Sequence, residues 1–333
     1  MSRYDRQVIL PEIGTEGQAR LAAARVLIVG AGGLGATVIP ALAGAGVGHL
    51  RIVDGDRVDE SNLHRQTMFR QADIGRPKAD CAAREAMALN PQIMAEAVRG
   101  WLDPVTVGAM LEDTDLVIDA ADSFAVSYIL SDACMHRRLP LIAASVLGRQ
   151  GYVGGFCGTG PSLRALFPDL PRQAQSCATA GVMGPVVAVM GALQAQMALS
   201  ILLGVKPSPI GQAVTVDLAA WRFGSFRFDD APEPEGPALP FVARADLRDA
   251  DCVVELRPES EAPCKITAGA LRLAPEAMAA WQPPAGRRVV LCCRSGLRAW
   301  RAAVELAGRG HHDLALLAAG AADTSNAIVE HQS

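Results

Sequence analysis

Two groups of residues in this chain have types and spacings that can do chemistry. The first is Gly30-Ala-Gly-Gly-Leu-Gly35, a G-x-G-x-x-G pattern in which Gly30, Gly32, Gly33 and Gly35 let the backbone approach a phosphate closely. With a strand before it and a helix after it, the loop N–H groups and the helix N-terminus can face an anion. Asp54 ends the next apolar run and is placed to hydrogen-bond a ribose. Alone, this pair points to a nicotinamide or flavin oxidoreductase. The following segment points elsewhere, because Asn62, Arg65 and Gln66 come directly after that run and Lys78 follows in Gly75-Arg-Pro-Lys78. Such donors suit a reaction at phosphorus, where positioning and electrostatics carry the rate. Hydride transfer needs none of them.

The second group is Val289-Val-Leu-Cys-Cys-Arg-Ser-Gly-Leu-Arg-Ala-Trp300, which reads as strand, tight loop and helix. It puts the Cys293 thiol at the head of a helix, with Arg294 and Arg298 nearby, and both features lower a thiol pKa. Cys292 ends the strand and reads as a buried thiol, with a redox pair to Cys293 as the alternative. The eight cysteines contain no C-x-x-C and form no dense framework, as expected for free thiols in a reducing compartment.

These groups must be held by regular elements. Residues 25–30 and 50–54 are short β-branched runs with a helix-length segment between them, which is a βαβ unit. Further strands are predicted at 115–120 and 139–144, with helices at 78–89 and 127–137. The alternation predicts an α/β fold with a doubly wound, mainly parallel sheet. After Phe228, the acidic and Pro-rich stretch from Asp229 to Pro237 cannot form a regular element and reads as a linker. Strands at 252–256 and 288–292 and a helix at 297–307 then predict a second, smaller α/β domain. The expected division is 1–228, a linker at 229–238, and 239–333.

Charge and hydropathy narrow the function classes. Across 333 residues, 31 Lys+Arg against 35 Asp+Glu give a net charge of -4, so there is no basic field to attract nucleic acid. A mean hydropathy of +0.20 and uncharged runs at 26–50 and 180–205 raise the question of membrane spans. The first run is rich in glycine and contains the phosphate loop. Pro185, Gln194 and Gln196 interrupt the second, which is expected to be a helix buried between the sheet and a subunit interface. The first residues lack the apolar stretch of a secretory signal, so a cytoplasmic protein with no membrane partner is expected.

Several motifs occur together in family order: Arg3-Tyr-Asp-Arg-Gln-Val-Ile-Leu-Pro, the glycine loop, Ser61-Asn-Leu-His-Arg-Gln66, Lys78, Asp119-Ala-Ala-Asp122 and Cys177-Ala-Thr-Ala-Gly-Val-Met-Gly-Pro185. Over residues 3–228 the chain resembles the ThiF/MoeB/HesA adenylyltransferases, relatives of ubiquitin-activating enzymes. The resemblance implies a Rossmann-like domain that uses ATP and Mg²⁺ to adenylate the C-terminal Gly-Gly carboxylate of a ubiquitin-like sulfur carrier. It assigns Arg65 and Lys78 to the phosphates, Asp122 to Mg²⁺, and Asp56 and Asn62 to the nucleotide. Arg6 matches an arginine that reaches the partner subunit's ATP, so a homodimer is implied. Cys177 matches a cysteine that in some members bonds covalently to the carrier or carries a persulfide.

Many members hold a structural zinc with two C-x-x-C pairs. Here Ser162 and Ala165 stand at the first pair and no cysteine lies around 231–236, so no structural zinc is expected. Over 239–322, Cys293-Arg-Ser-Gly-Leu-Arg298 resembles the rhodanese loop C-x-x-G-x-R, with Glu255 in place of the usual Asp and Lys265 in place of a His. That resemblance implies a persulfide on Cys293, loaded by a donor such as a cysteine desulfurase and passed on to make a thiocarboxylate. A non-catalytic carrier-binding scaffold remains the alternative. The carrier's pathway, whether molybdopterin, thiamine, tRNA thiolation or a cysteine-type route, stays open.

Overall fold

The computed structural model describes residues 3–169, 181–235 and 238–320. Its first sheet has eight strands: β1 (Arg25–Val29), β2 (His49–Val53), β3 (Met94–Val98), β4 (Leu116–Asp119), β5 (Pro140–Leu147), β6 (Gln150–Cys157), β7 (Gln212–Asp217) and β8 (Arg222–Arg227). The order is β3-β2-β1-β4-β5-β6-β7-β8, parallel from β3 to β5 and antiparallel beyond. Strand β1 sits inside the sheet and is buried on both faces after Arg25. Its Val26 and Ile28 join one apolar cluster while Leu27 and Val29 join another, as the period of two requires.

Helices cover both faces. On one lie α2 (Gly14–Ala23), α3 (Gly35–Ala45), α4 (Lys78–Leu89) and α8 (Gly184–Leu203); α6 (Phe124–Arg137) lies on the other. The short helices α1 (Asp5–Val8), α5 (Val107–Met110) and α7 (Leu163–Leu166) fill connections. Among the described residues, α8 is the one helix long and apolar enough to cross a bilayer. It packs instead on α3 and on β5 and β6, with Met190, Ala195 and Ala198 in the core. Its start also backs the glycine loop, since a Cβ on Gly33 would strike Val187 at 2.7 Å.

A second sheet, parallel throughout, runs β10-β9-β11-β12, made of β9 (Cys252–Glu255), β10 (Leu271–Arg272), β11 (Val289–Cys293) and β12 (Leu314–Ala318). Helix α9 (Leu297–Gly308) packs on β11 and β12. The predicted elements are therefore present. Strand β3, the antiparallel extension β6–β8, and β10 and β12 were not foreseen. Helix α6 also begins at Phe124, three positions before the expected start.

Candidate functional site

The first group of chemical residues gathers at the C-terminal ends of β1, β2 and β4, the crevice where open parallel sheets bind ligands. Gly30 takes φ +102° and a Cβ there would meet Ala120 O at 2.5 Å, so the loop needs glycine for both conformation and clearance. A Cβ on Gly35 would run into the Gly30 carbonyl. The Asp54 carboxylate ties the loop to β2: Oδ2 accepts from Ala31 N at 2.8 Å and Oδ1 from Asp56 N at 2.8 Å. Burial pushes the Asp54 pKa up, against Lys78 and these two N–H groups.

Lys78 opens α4 and is 5% exposed, with Nζ 2.9 Å from Asp56 Oδ2. The backbone repeats the link, as Lys78 N donates to Asp56 O at 2.9 Å. Arg65 lies along Gly33, with its side-chain carbons 3.8 Å from the position of a Cβ there. Its guanidinium donates to Ser61 O at 3.1 Å. Asn62 is half-buried and donates to Ser61 Oγ at 3.3 Å. The glycine loop, Asp54, Asp56, Lys78 and Arg65 are thus joined by these contacts, and Asn62 sits on the same segment as Arg65.

Two further residues belong here. Gln66 is 3% exposed beside Gly32, and its Oε1 is buried without a hydrogen-bond partner. A buried orphan acceptor beside a phosphate loop marks a place where water or ligand completes the bonding. Asp119, at the end of β4, is fully buried and accepts from Ser127 Oγ at 2.5 Å and Ala121 N at 3.1 Å. Burial raises its pKa to about 6, partly offset by those bonds. The sequence pattern contained Asp119 within Asp-Ala-Ala-Asp, but only burial separates its role from that of Asp122.

Asp122 is exposed and has no hydrogen bond or ion pair to another described residue. It does not cap α6, whose N-cap is Ser123. One free carboxylate fits a magnesium ion held mainly by nucleotide phosphates and water. No group of three His, Cys, Asp or Glu that could hold a metal occurs among the described residues.

Arg6 is not brought to this crevice. It is exposed on α1, whose Gln7 donates to Ala45 O at the C-terminal end of α3. The glycine loop lies at the other end of that helix, about 16 Å away. Cys177 lies outside the described residues. At the position without zinc thiolates, Ser162 Oγ donates to Glu233 Oε2 at 2.6 Å and Ser162 N to Glu233 Oε1 at 2.7 Å. Ser162 also caps α7 by accepting from Arg164 N and Ala165 N. A hydrogen-bonded staple therefore joins the two segments in which the family pattern would put cysteines.

The second group lies on the other sheet. Cys293 ends β11, is 0% exposed, and its Sγ accepts from Ala299 N at 3.3 Å. Arg298 pairs with Glu261 through contacts of 2.5 and 2.7 Å. Glu255 grips Arg257 bidentately and accepts from Ile266 N. The expectation of a lowered thiol pKa is corrected, because burial outweighs the helix N–H groups and Arg298 and raises the Cys293 pKa. The alternative of a redox pair is corrected as well. Consecutive strand residues face opposite ways, and Cys292 packs with Val253 and Val290 while Cys293 packs with Val254 and Ala299.

The fold is that of a Rossmann-type α/β protein with the glycine loop at its strand ends. The chain belongs to the ThiF family, which matches residues 4–238. It is 37% identical over 235 residues to the SAMP-activating enzyme E1 of Haloferax volcanii, covering 70% of this chain and 87% of that one. With the sulfur carrier protein adenylyltransferase of Thermus thermophilus it shares 41% over 225 residues, covering 65% and 83%. The adenylyltransferase and sulfurtransferase UBA4 of Yarrowia lipolytica is 42% identical over 206 residues, but the match spans only 52% of that protein. Among solved structures, Escherichia coli MccB bound to ATP has a TM-score of 0.61 at 21% identity, covering 69% of this chain and 73% of MccB, a likeness of fold.

Proposed function

We propose that this chain uses ATP to adenylate the C-terminal glycine carboxylate of a ubiquitin-like sulfur carrier, and that Cys293 then supplies sulfur as a persulfide. The observation that carries the first step is the joining of Lys78, Asp56, Arg65 and Asp54 around the glycine loop in a ThiF-family chain. The names of its bacterial and archaeal relatives support the carrier as substrate.

The carrier carboxylate is ionised near neutral pH, so attack on the α-phosphorus requires no base. Its oxygen forms the new bond to phosphorus while the bond to the bridging oxygen breaks, and pyrophosphate leaves. Lys78, released from Asp56, and Arg65 hold the charge on the phosphates. Asp122 would hold Mg²⁺, which neutralises phosphate charge when bound. In a homodimer, Arg6 reaches the partner subunit's nucleotide.

In the second step the terminal sulfur of a Cys293 persulfide attacks the acyl carbon and AMP leaves. Two external thiols, oxidised to their disulfide, then supply the two electrons that cleave the S–S bond, giving a thiocarboxylate and returning the Cys293 thiol. The name of the fungal relative, which includes sulfurtransferase, supports this half. Mass spectrometry of a Gly-Gly-ended carrier, incubated with the chain, ATP·Mg²⁺, a cysteine desulfurase and cysteine, tests the whole sequence. Replacement of a carboxylate oxygen by sulfur is expected, and a carrier of unchanged mass contradicts it.

A further inference from the structure

The loop that carries Cys293 leaves Arg294 exposed but packs Gly296 and Leu297 away from solvent. Ser295 O accepts from Ala125 N at 3.1 Å, which serves the first turn of α6, a helix with no side-chain cap of its own. Gly296 takes φ +87°, and a Cβ there would meet Phe241 at 2.8 Å and Ala125 at 3.1 Å. Leu297 is 8% exposed and belongs to the same apolar cluster as Ala125, Tyr128 and Ile129 of α6. Residues 295–297 of the cysteine loop therefore pack on α6, while Phe241, whose segment pairs with β12 in the loop's own unit, backs Gly296. Asp122 lies three residues before Ala125, at the mouth of the nucleotide crevice.

A donor that loads sulfur must reach the Cys293 Sγ, which is 0% exposed. We propose that α6 forms a latch over the cysteine loop, gripped by Leu297 and Phe241 of the C-terminal unit, so that Cys293 is closed to sulfur donors and carrier until the C-terminal unit lifts from the first sheet unit. Lifting removes the Ala125–Ser295 hydrogen bond and the packing of Leu297, Phe241 and Trp300 on the α6 cluster, which is a local opening. It exposes the loop next to Asp122, beside the place where the acyl-adenylate would form. The inference rests on the persulfide role proposed for Cys293. The closed state itself is testable with no carrier or ATP present.

Cys264 is exposed in the same unit and provides an internal standard. Labelling the full native chain with iodoacetamide, and reading each cysteine peptide by mass spectrometry, gives the two rates side by side. Cys293 is expected to label at least about a hundred-fold more slowly than Cys264. Ala125→Glu and Phe241→Ser each weaken the packing between α6 and the C-terminal unit and should raise the Cys293 rate about ten-fold or more, leaving that of Cys264 unchanged. Continued protection of Cys134 in the first unit and of Cys292 in the second sheet shows that a variant remains folded; if Ala125→Glu loses it, Phe241→Ser decides. Equal labelling of Cys293 and Cys264 in the native chain overturns the latch. So does an unchanged Cys293 rate in folded variants. Failure of ATP–pyrophosphate exchange would instead strike the proposed adenylation and leave these rates untouched.

Discussion

Lys78 and Cys293 carry separate steps, and their variants should separate in the same way. Lys78→Ala is expected to lower ATP–pyrophosphate exchange by roughly 100-fold or more, since one preorganised cation at a phosphate is lost. Normal exchange in that variant would remove Lys78 from the site. Cys293→Ala should keep exchange intact and abolish thiocarboxylate formation, so persistent sulfur transfer would overturn the persulfide assignment. Asp119 governs stability against pH. Its pKa rises from an ordinary 3.8 to about 6 in the folded chain, so the folded state binds the proton more tightly. The stability this contributes is whole below about pH 4 and is lost as pH climbs through about 6. Asp119→Asn should flatten the decline in Tm across that window; an unchanged pH profile contradicts the assignment. Lys78, Arg65 and Asp54 were legible from type and spacing. The burial of Asp119, the orphan oxygen of Gln66 and the raised Cys293 thiol were not, because each depends on neighbours distant in the chain.

At the scale of elements, runs with a plain apolar period were readable and irregular ones were not. Helix α4 spans Lys78–Leu89 as expected, and β1 and β2 fall within a residue of their predicted places. Strand β3 is Met-Ala-Glu-Ala-Val, an edge strand with no residue fully buried, so its sequence lacks the β-branched run that burial demands. Strand β6 is rich in glycine, and β8 is exposed throughout, which hides both from a hydropathy reading. The staple between Ser162 and Glu233 fastens α7 to the segment after β8. Ser162→Ala removes its hydroxyl bond and the α7 cap, and should cost about 1–3 kcal/mol in urea unfolding. No loss of stability would show that the Ser162 hydroxyl does not hold the two segments together.

For the whole molecule, the uncharged run at 180–205 became α8, packed on the sheet with its start against the phosphate loop, so its apolar character is accounted for by the core. A second, smaller α/β unit was expected after residue 238, and a second parallel sheet is present there. That α6 and the cysteine loop meet could not be read from sequence, because Ala125 and Ser295 are far apart in the chain and neither belongs to a recognisable pairing motif. The central claim is that the crevice at the ends of β1, β2 and β4 transfers an adenylyl group to a carrier carboxylate. ATP–pyrophosphate exchange, run with the purified full chain, Mg²⁺ and a ubiquitin-like carrier ending in Gly-Gly, tests it most directly. The account predicts exchange that requires the carrier's terminal glycine and disappears when that glycine is deleted. Carrier binding without any exchange would contradict it and identify a scaffold instead.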